Sequence, residues 1–170
     1  MNAQNVNKTA GLGPMEVIEV GCAIIEKQGK LLIAQRKPGS RLGGYWEFPG
    51  GKRKPSETME ECLIREVKEE LGIGILPRLF LRRSHYRYPD RKVDLHFYLC
   101  DWGVGFPAKH GCHDFRWVWP RDLKDYRFPP ADTDLIGELI RKEAVYFNRT
   151  SQKRFGLFQI PFREPFSALH

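Results

Sequence analysis

The sequence has no apolar run long enough to cross a membrane and no layout of a secretory signal. No hydrophobic stretch approaches the roughly 20 residues of a membrane-spanning helix. The first residues lack a positively charged segment followed by an apolar one. These absences predict a cytoplasmic protein with no membrane partner.

Cysteine is scarce, and its spacing indicates no disulfide or zinc framework. The chain has four cysteines and no C-x-x-C pair among them. In a chain without a secretion signal, four such cysteines are more simply free thiols in a reducing compartment. We therefore expect a fold that depends on its hydrophobic core.

Internal repeats are also absent, and the composition is that of one globular domain. The chain has 170 residues, of which 41% are hydrophobic and 29% are charged, which is enough for a sizeable core. We expect a flexible leader over 1–14, a domain over 15–146 and a basic, aromatic arm over 147–170. The net charge of +7 suits a polyanionic ligand, although ordinary solubility explains it equally well.

Local patterns predict a mixture of strands and helices. Turn residues and β-branched runs predict strands at 17–26, 30–36, 45–48, 75–87, 92–100 and 115–119. Helical spacing predicts one helix from Ser56, as N-cap, to Leu71, where Gly72 ends it, and another over 132–146. Pro49, Gly50 and Gly51 should break the chain between elements. Mixed strands with two helices indicate an α/β or α+β sandwich.

The first predicted helix carries two different stripes. Leu63, Ile64, Val67 and Leu71 form an apolar stripe that can pack on a sheet. Glu66, Glu69 and Glu70, at spacings of three and four, project from one side of the same helix. Such like charges repel by about 0.2–0.5 kcal/mol per pair. A hard divalent cation with oxygen ligands, such as Mg²⁺, would make that arrangement favourable.

The region around this helix resembles the signature of a known superfamily. The pattern G-x5-E-x7-R-E-U-x-E-E-x-G-U, where U is a bulky aliphatic residue, is the Nudix box, and every fixed position is met: Gly51, Glu57, Arg65, Glu66, Val67, Glu69, Glu70, Gly72 and Ile73. The segments EFPGGK, YPDR and FPPA, at 47–52, 88–91 and 128–131, resemble the MutT branch. The resemblance implies an α/β/α sandwich around a mixed sheet and hydrolysis of nucleoside triphosphates.

The resemblance also implies a role for individual residues. Glu66, Glu69 and Glu70 would bind Mg²⁺, or Mn²⁺ in its place, together with the backbone carbonyl of Gly50 or Gly51. A pair between Glu57 and Arg65 would orient the loop and the helix. The residues expected to contact the substrate are Arg36 near the nucleotide, Phe48 against a base or in the core, Lys52 on the phosphate side, Arg91 in the YPDR turn, and Asp132.

One loop departs from the family pattern. MutT-like enzymes carry a further glutamate in the loop after the long hairpin, whereas the loop here reads PAKHGCHDFRW and contains none. His110 and His113 are the polar residues that could replace it, as a general base or a metal ligand. Loop histidines are more often ordinary surface residues, so the identity of the general base stays open.

Asp132 stands where MutT proteins carry the asparagine of FPPAN, which reads 8-oxoguanine as donor and acceptor together. An ionised aspartate only accepts hydrogen bonds, so it would suit an amino group on cytosine or adenine. A protonated aspartate, with a pKa raised by burial, would suit an oxidised guanine. Alternatively, Asp132 caps the helix that follows it.

The predicted function is Mg²⁺-dependent hydrolysis of a nucleoside triphosphate to a monophosphate and pyrophosphate, with oxidised nucleotides such as 8-oxo-dGTP favoured. Two alternatives remain: an RNA 5′-end pyrophosphohydrolase, and a non-catalytic lesion-recognition module like the C-terminal domain of adenine glycosylases. The arm would either bind single-stranded nucleic acid or cover a sheet edge or a dimer partner. Monomer and homodimer are equally open.

Overall fold

The computed structural model describes residues 16–147, so the predicted leader and nearly all of the predicted arm lie outside the described residues. The strands are β1 Val17–Lys27, β2 Lys30–Gln35, β3 Trp46–Glu47, β4 Gly50–Lys52, β5 Gly74–Arg87, β6 Lys92–Val104 and β7 Asp114–Val118. The helices are α1 Met59–Leu71, α2 Thr133–Arg141 and α3 Glu143–Phe147. Two 3₁₀ turns, Pro120–Asp125 and Pro130–Asp132, precede α2.

The strands form one mixed sheet. Its main order is β3-β2-β1-β6-β5, with β4 paired to β1 and β7 paired to β2. β1 and β6 run parallel, from the pair Val17 and Lys92 to the pair Glu26 and Asp101. β5 and β6 form a long antiparallel hairpin. The parallel pair brings the starts of β1 and β6 to the same edge of the sheet, where the pocket described below opens.

Each face of the sheet carries its own hydrophobic core. Leu63, Val67 and Leu71 of α1 pack on one face and are fully buried. Leu135 and Leu139 of α2 pack on the other face. The arrangement is therefore helix, sheet and helix in three layers, and the predicted α/β/α sandwich with a central mixed sheet is confirmed.

Helix α1 begins two residues later than the sequence predicted. Thr58, and not Ser56, is its N-cap: the Thr58 hydroxyl accepts from the backbone N–H of Glu61 at 3.1 Å, and the Glu61 carboxylate accepts from the N–H of Thr58 at 2.7 Å. This reciprocal capping box needs an acid three residues after the cap, and Ser56 has Met59 there. Gly72 ends the helix with a φ of 71°, as predicted.

Two further predictions about α1 and its surroundings were wrong. Ile64 is 41% exposed and is not part of the buried stripe. The stripe contains Met59 and Cys62 in addition to Leu63, Val67 and Leu71. Gly50 and Gly51 do not break the chain, because they form β4 against β1. Gly50 has a φ of 152°, and a side chain there would overlap the Gly21 carbonyl. Only glycine permits this close pairing.

The predicted helix over 132–146 is two shorter helices. α2 ends at Arg141, Lys142 leaves helical geometry with a φ of −108° and a ψ of 24°, and α3 follows at once. The structure has no helix long and apolar enough to span a membrane within residues 16–147. All four cysteines are buried free thiols.

Candidate active site

A cavity of about 350 Å³ opens at the edge of the sheet where β1 and β6 begin. Loop 37–44, β4, the turn at 88–91 and the Pro130–Asp132 turn surround it. Seven of the residues that the sequence pointed to line this one cavity: Arg36, Phe48, Gly50, Gly51, Lys52, Arg91 and Asp132. Residues far apart in the sequence therefore share a space of the size of a small-molecule pocket.

Arg65 is the most heavily bonded side chain beside the cavity. It donates to both carboxylate oxygens of Glu57, at 2.9 and 2.6 Å, and to Glu66 at 2.7 Å. A further bond reaches the backbone carbonyl of Lys52 at 3.2 Å. The Arg65 guanidinium lowers the pKa of Glu57 to about 2. This network fixes β4 and the loop after it to α1.

Two carboxylates of α1 lie directly against the glycines of β4. A Cβ atom on Gly51 would overlap the Glu66 carboxylate. The backbone N–H of Gly50 points to a Glu70 oxygen at 3.4 Å. Burial, together with the nearby Glu47 carboxylate, raises the pKa of Glu70 to about 7. The missing side chain of Gly51 thus leaves room for one carboxylate, and Gly50 meets the other through its backbone N–H.

Glu69 stands apart from these two. Its side chain is 60% exposed and reaches only Arg65, at 3.4 Å. The structure therefore brings Glu66 and Glu70 to the glycines but leaves Glu69 at the rim. The three glutamates and the backbone carbonyls of Gly50 and Gly51 offer only oxygen atoms as ligands. Mg²⁺ and Mn²⁺ prefer oxygen ligands.

A second group of metal-ligand side chains lies on the α1 face of the sheet. Within residues 16–147, Glu19, Asp94 and His96 have donor atoms within 4.8 Å of one another, and the three α1 glutamates do not meet this distance. However, Glu19 accepts from Arg53, and Asp94 accepts from both Nε and an NH₂ group of Arg83. Because guanidinium groups already neutralise both carboxylates, this group is a salt-bridge network.

Asp132 lines the cavity and is buried. It precedes α2, but its side chain makes no capping hydrogen bond. Burial raises its pKa to about 7, and Glu47 contributes in the same direction. Near neutral pH its carboxyl group therefore exists in both protonation states, as donor and acceptor or as acceptor alone.

Glu47 is a cavity residue that the sequence analysis missed. Its carboxylate accepts from Arg36 at 2.5 Å, and both side chains line the cavity. Burial raises the pKa of Glu47, against the opposing effect of Arg36. The sequence did carry a signal, because Glu47 is an acid between two aromatic residues, Trp46 and Phe48. A carboxylate in such surroundings is costly unless it is paired, as Glu47 is with Arg36.

The aromatic and basic residues at the cavity divide into two kinds. Phe48 is 4% exposed and packs on Phe128 at 5.4 Å between ring centres, so it belongs to the core and also lines the cavity. Lys52 is exposed and close to the glycines. Arg91 donates to Asp90 at 3.0 Å. The positive groups are thus available at the open side of the cavity.

The two loop histidines do not line the cavity. The loop that carries them packs on the C-terminal end of α1, where the N–H of Gly111 donates to the Glu70 carbonyl at 2.8 Å. The His110 imidazole lies against Gly72. His113 is exposed, and its N–H donates to the Gln35 carbonyl at 2.8 Å. The loop therefore satisfies backbone carbonyls at the end of the helix.

Comparison with known proteins identifies the family. The model of the NUDIX domain matches residues 20–138, which is most of the chain. The chain belongs to the Nudix family. It is 36% identical over 122 residues to the CTP pyrophosphohydrolase of Escherichia coli K12, covering 72% of this chain and 90% of that protein. It is 34% identical over 128 residues to the 8-oxo-dGTP diphosphatase of Haemophilus influenzae, covering 75% and 94%.

The solved structures agree with this assignment. The solution structure of the E. coli ORF135 protein has a TM-score of 0.67 and 34% identity, covering 78% of this chain and 97% of that one. The predicted membership of the MutT-like branch is therefore confirmed, and the chain is a Nudix hydrolase that acts on phosphoric anhydride bonds. In this Nudix protein the box helix is α1, and Asp132 and the β4 glycines beside that helix line the same cavity.

Proposed function

We propose that this Nudix protein hydrolyses a nucleoside triphosphate to a nucleoside monophosphate and pyrophosphate, with Mg²⁺ as its metal ion. One observation carries the proposal: a single cavity joins a buried carboxyl group, Asp132, to the glycines and lysine of β4 beside the α1 carboxylates. Asp132 would face the base, and Lys52, beside the metal ligands, would face the phosphates. This arrangement suits a nucleotide.

Glu66, Glu69 and Glu70 would hold the metal, with a backbone carbonyl of Gly50 or Gly51. When bound, Mg²⁺ neutralises phosphate charge and activates the attacking water. The protein's part is to hold these oxygens in place. Arg65 does so through its bonds to Glu57 and Glu66, and glycine at position 51 leaves the space that the Glu66 carboxylate occupies.

Lys52, Arg36 and Arg91 would bind the triphosphate and the sugar from the open side of the cavity. Hydrolysis of a polyphosphate depends mainly on charge neutralisation and on alignment of the water. Positive side chains in the same cavity as Gly50 and Gly51, which lie beside the metal ligands, would provide both binding and alignment. The imidazoles of His110 and His113 lie outside the cavity, and a role for either as general base stays a prediction.

Asp132 would select the base. In its neutral form it offers a donor beside an acceptor, which matches the amino group and ring nitrogen of cytosine, or the N–H and carbonyl of 8-oxoguanine. Unmodified guanine presents two acceptors, N7 and O6, on the corresponding edge. Only the O–H of the neutral carboxyl group would then have a partner, and its carbonyl oxygen would have none. The names of the two relatives, which refer to CTP and to 8-oxo-dGTP, agree with these two bases.

The test is a panel of substrates assayed with Mg²⁺: CTP, dCTP, 8-oxo-dGTP, dGTP, dATP and RNA with a 5′-triphosphate or a cap. We expect release of pyrophosphate from free nucleotides, with cytosine or 8-oxoguanine nucleotides preferred at least tenfold in kcat/KM over dGTP, since a mismatched buried polar group costs about 1–3 kcal/mol. A preference for RNA ends would support the alternative function. Tight binding without turnover would indicate a recognition module.

Four buried thiols and a nucleotide substrate support a cytoplasmic location. Fractionation of cells that express the protein at native level tests this directly.

A further inference from the structure

Two loops that line the cavity are joined by a two-pronged ion pair. Arg41, in loop 37–44, donates from NH1 and NH2 to the two carboxylate oxygens of Asp90 at 2.8 and 2.9 Å. The two residues are 49 positions apart in the chain. A bidentate pair fixes the orientation of both partners as well as their distance. It therefore sets how far loop 37–44 stands from the turn at 88–91.

The same arginine lies on an aromatic ring. The centre of the Arg41 guanidinium is 5.0 Å from the centre of the Tyr88 ring, and both side chains line the cavity. The turn itself is closed by a bond from the N–H of Tyr88 to the Arg91 carbonyl at 2.8 Å. A guanidinium group and an aromatic ring thus lie within cation–π distance of each other at one wall.

The backbone of loop 37–44 is constrained from a second direction. Arg36 donates through Nε to the Arg41 carbonyl at 2.7 Å while its NH1 holds Glu47. The next residue, Leu42, has a φ of 56° and also lines the cavity. A branched side chain in the left-handed region persists only where surrounding contacts hold it.

We propose that Arg41 and Asp90 form a clasp that positions Arg41 and Tyr88 as a wall for the nucleoside part of the substrate. The inference rests on the proposed function, and it assigns a specificity role to three residues outside the Nudix box. Asp90 is a positioning residue, because it acts through Arg41. Tyr88 and Arg41 present the surface that the base would contact.

A clasp of this kind should matter for binding and hardly for folding. The side chains of Arg41 and Asp90 are 40% and 48% exposed, and exposed ion pairs contribute little to stability. Asp90→Asn should therefore melt at the same temperature as the wild type. Asp90 also pairs with Arg91 at 3.0 Å. A loss that passes through Arg91 would appear on substrates with and without a base, because Arg91 is expected to bind the triphosphate and the sugar.

The decisive experiment compares a nucleoside triphosphate with ribose 5-triphosphate, which lacks the base. For the nucleoside triphosphate, we expect Asp90→Asn to raise KM about fivefold to tenfold and to change kcat less than about twofold. For ribose 5-triphosphate, kcat/KM should change less than about twofold. Asp125→Asn, which makes the same charge change at an exposed residue outside the cavity, is the matched control and should change neither. Equal losses on both substrates, or no loss on either, would overturn the clasp.

A double-mutant cycle separates a clasp from two independent contacts. If Asp90 acts only through Arg41, then Arg41→Gln with Asp90→Asn should have the same kcat/KM as Arg41→Gln alone. Losses that multiply would contradict a positioning role for Asp90. Calorimetric binding of the nucleoside monophosphate to the same variants gives the comparison without turnover. If the wild type does not hydrolyse the nucleotide, the proposed function is refuted. The binding measurements would still test the clasp, and equal binding by the wild type and Asp90→Asn would refute it.

Discussion

Glu70 is the residue in which the chemistry of the site is most concentrated. Its carboxylate is buried beside Gly50, and burial raises its pKa to about 7. A carboxylate that is costly to ionise in the free protein gains most from a bound cation. The exposed Glu69 gains less from such an ion, although both residues occupy fixed positions of the Nudix box.

We predict that Glu70→Gln lowers kcat by about 10²–10³ through lost stabilisation of charge in the transition state. The melting temperature should not fall, since the variant removes a buried charge and keeps the shape. Steady-state assays at saturating Mg²⁺ test this, with Glu60→Gln, an exposed acid in the first turn of the same helix, as the control. Wild-type turnover in Glu70→Gln would exclude a direct metal role.

A second prediction concerns Asp132 and pH. Its pKa is raised by burial to about 7, so the folded protein holds this proton more tightly than the unfolded chain does. Stability should therefore fall as the pH rises from about 4 to 7, where the unfolded chain ionises first. At pH 8, Asp132→Asn should be more stable than the wild type by about 1–3 kcal/mol, because it removes a buried charge. At pH 4 the difference should vanish.

Urea denaturation at pH 4 and pH 8 measures this difference. A variant that is less stable at both values would support the helix-cap interpretation, which the absence of a capping bond from the Asp132 side chain argues against. The same variant tests base selection, because asparagine remains donor and acceptor at every pH. The rate on 8-oxoguanine nucleotides relative to cytosine nucleotides should fall above pH 7 in the wild type, because an ionised aspartate only accepts, and should stay constant in Asp132→Asn.

At the scale of elements, α1 and β4 act as one unit. Arg65 joins them through Glu57 and the Lys52 carbonyl, and the loop at 105–113 closes the other end of the helix. The helix is therefore fixed at both ends, and its Glu66 and Glu70 carboxylates lie against β4, whose residues line the cavity. Its N-terminal cap should control how firmly the metal ligands are held.

We predict that Thr58→Ala destabilises the fold by about 0.5–2 kcal/mol, the usual cost of losing an N-cap. Ser56→Ala, two residues earlier, should change the free energy of unfolding by less than about 0.5 kcal/mol, as surface substitutions do. Urea midpoints of the two variants decide between the observed cap and the one that the sequence suggested. Equal losses would contradict the capping box.

The sequence predicted most strands of the sheet, the box helix and seven of the cavity residues, because their signals are local or lie in short motifs. It could not predict the Arg36–Glu47 and Arg41–Asp90 pairs, since nothing in the spacing of these residues shows which loops meet. β4 was missed because its residues are glycines, which favour turns unless a partner strand accepts them. The break at Lys142 was missed because the apolar spacing continues through it.

At the scale of the whole molecule, the sheet separates two hydrophobic cores, and the candidate active site lies at one edge of the sheet. The starts of the parallel strands β1 and β6 supply one wall of the cavity, and β4, which the Glu66 and Glu70 side chains of α1 contact, supplies another. Activity should therefore depend on an ion that this edge binds, and not on the salt-bridge network at Glu19 and Asp94.

We predict that EDTA abolishes activity and that Mg²⁺ or Mn²⁺ restores it. Calcium should not restore it, because its larger and looser coordination shell aligns the attacking water poorly. Rates measured after exhaustive chelation and stepwise addition of each ion test the prediction. Asp94→Asn, in the salt-bridge network, should keep the same Mg²⁺ dependence in those assays. Full activity without any divalent ion would refute a metal mechanism.

The most direct measurement is product analysis by phosphorus NMR after incubation of dCTP, and separately of 8-oxo-dGTP, with the full chain and Mg²⁺. The account predicts a nucleoside monophosphate and pyrophosphate in equal amounts from at least one of them, and their loss in Glu70→Gln. A nucleoside diphosphate with inorganic phosphate, or no product from either nucleotide, would contradict it.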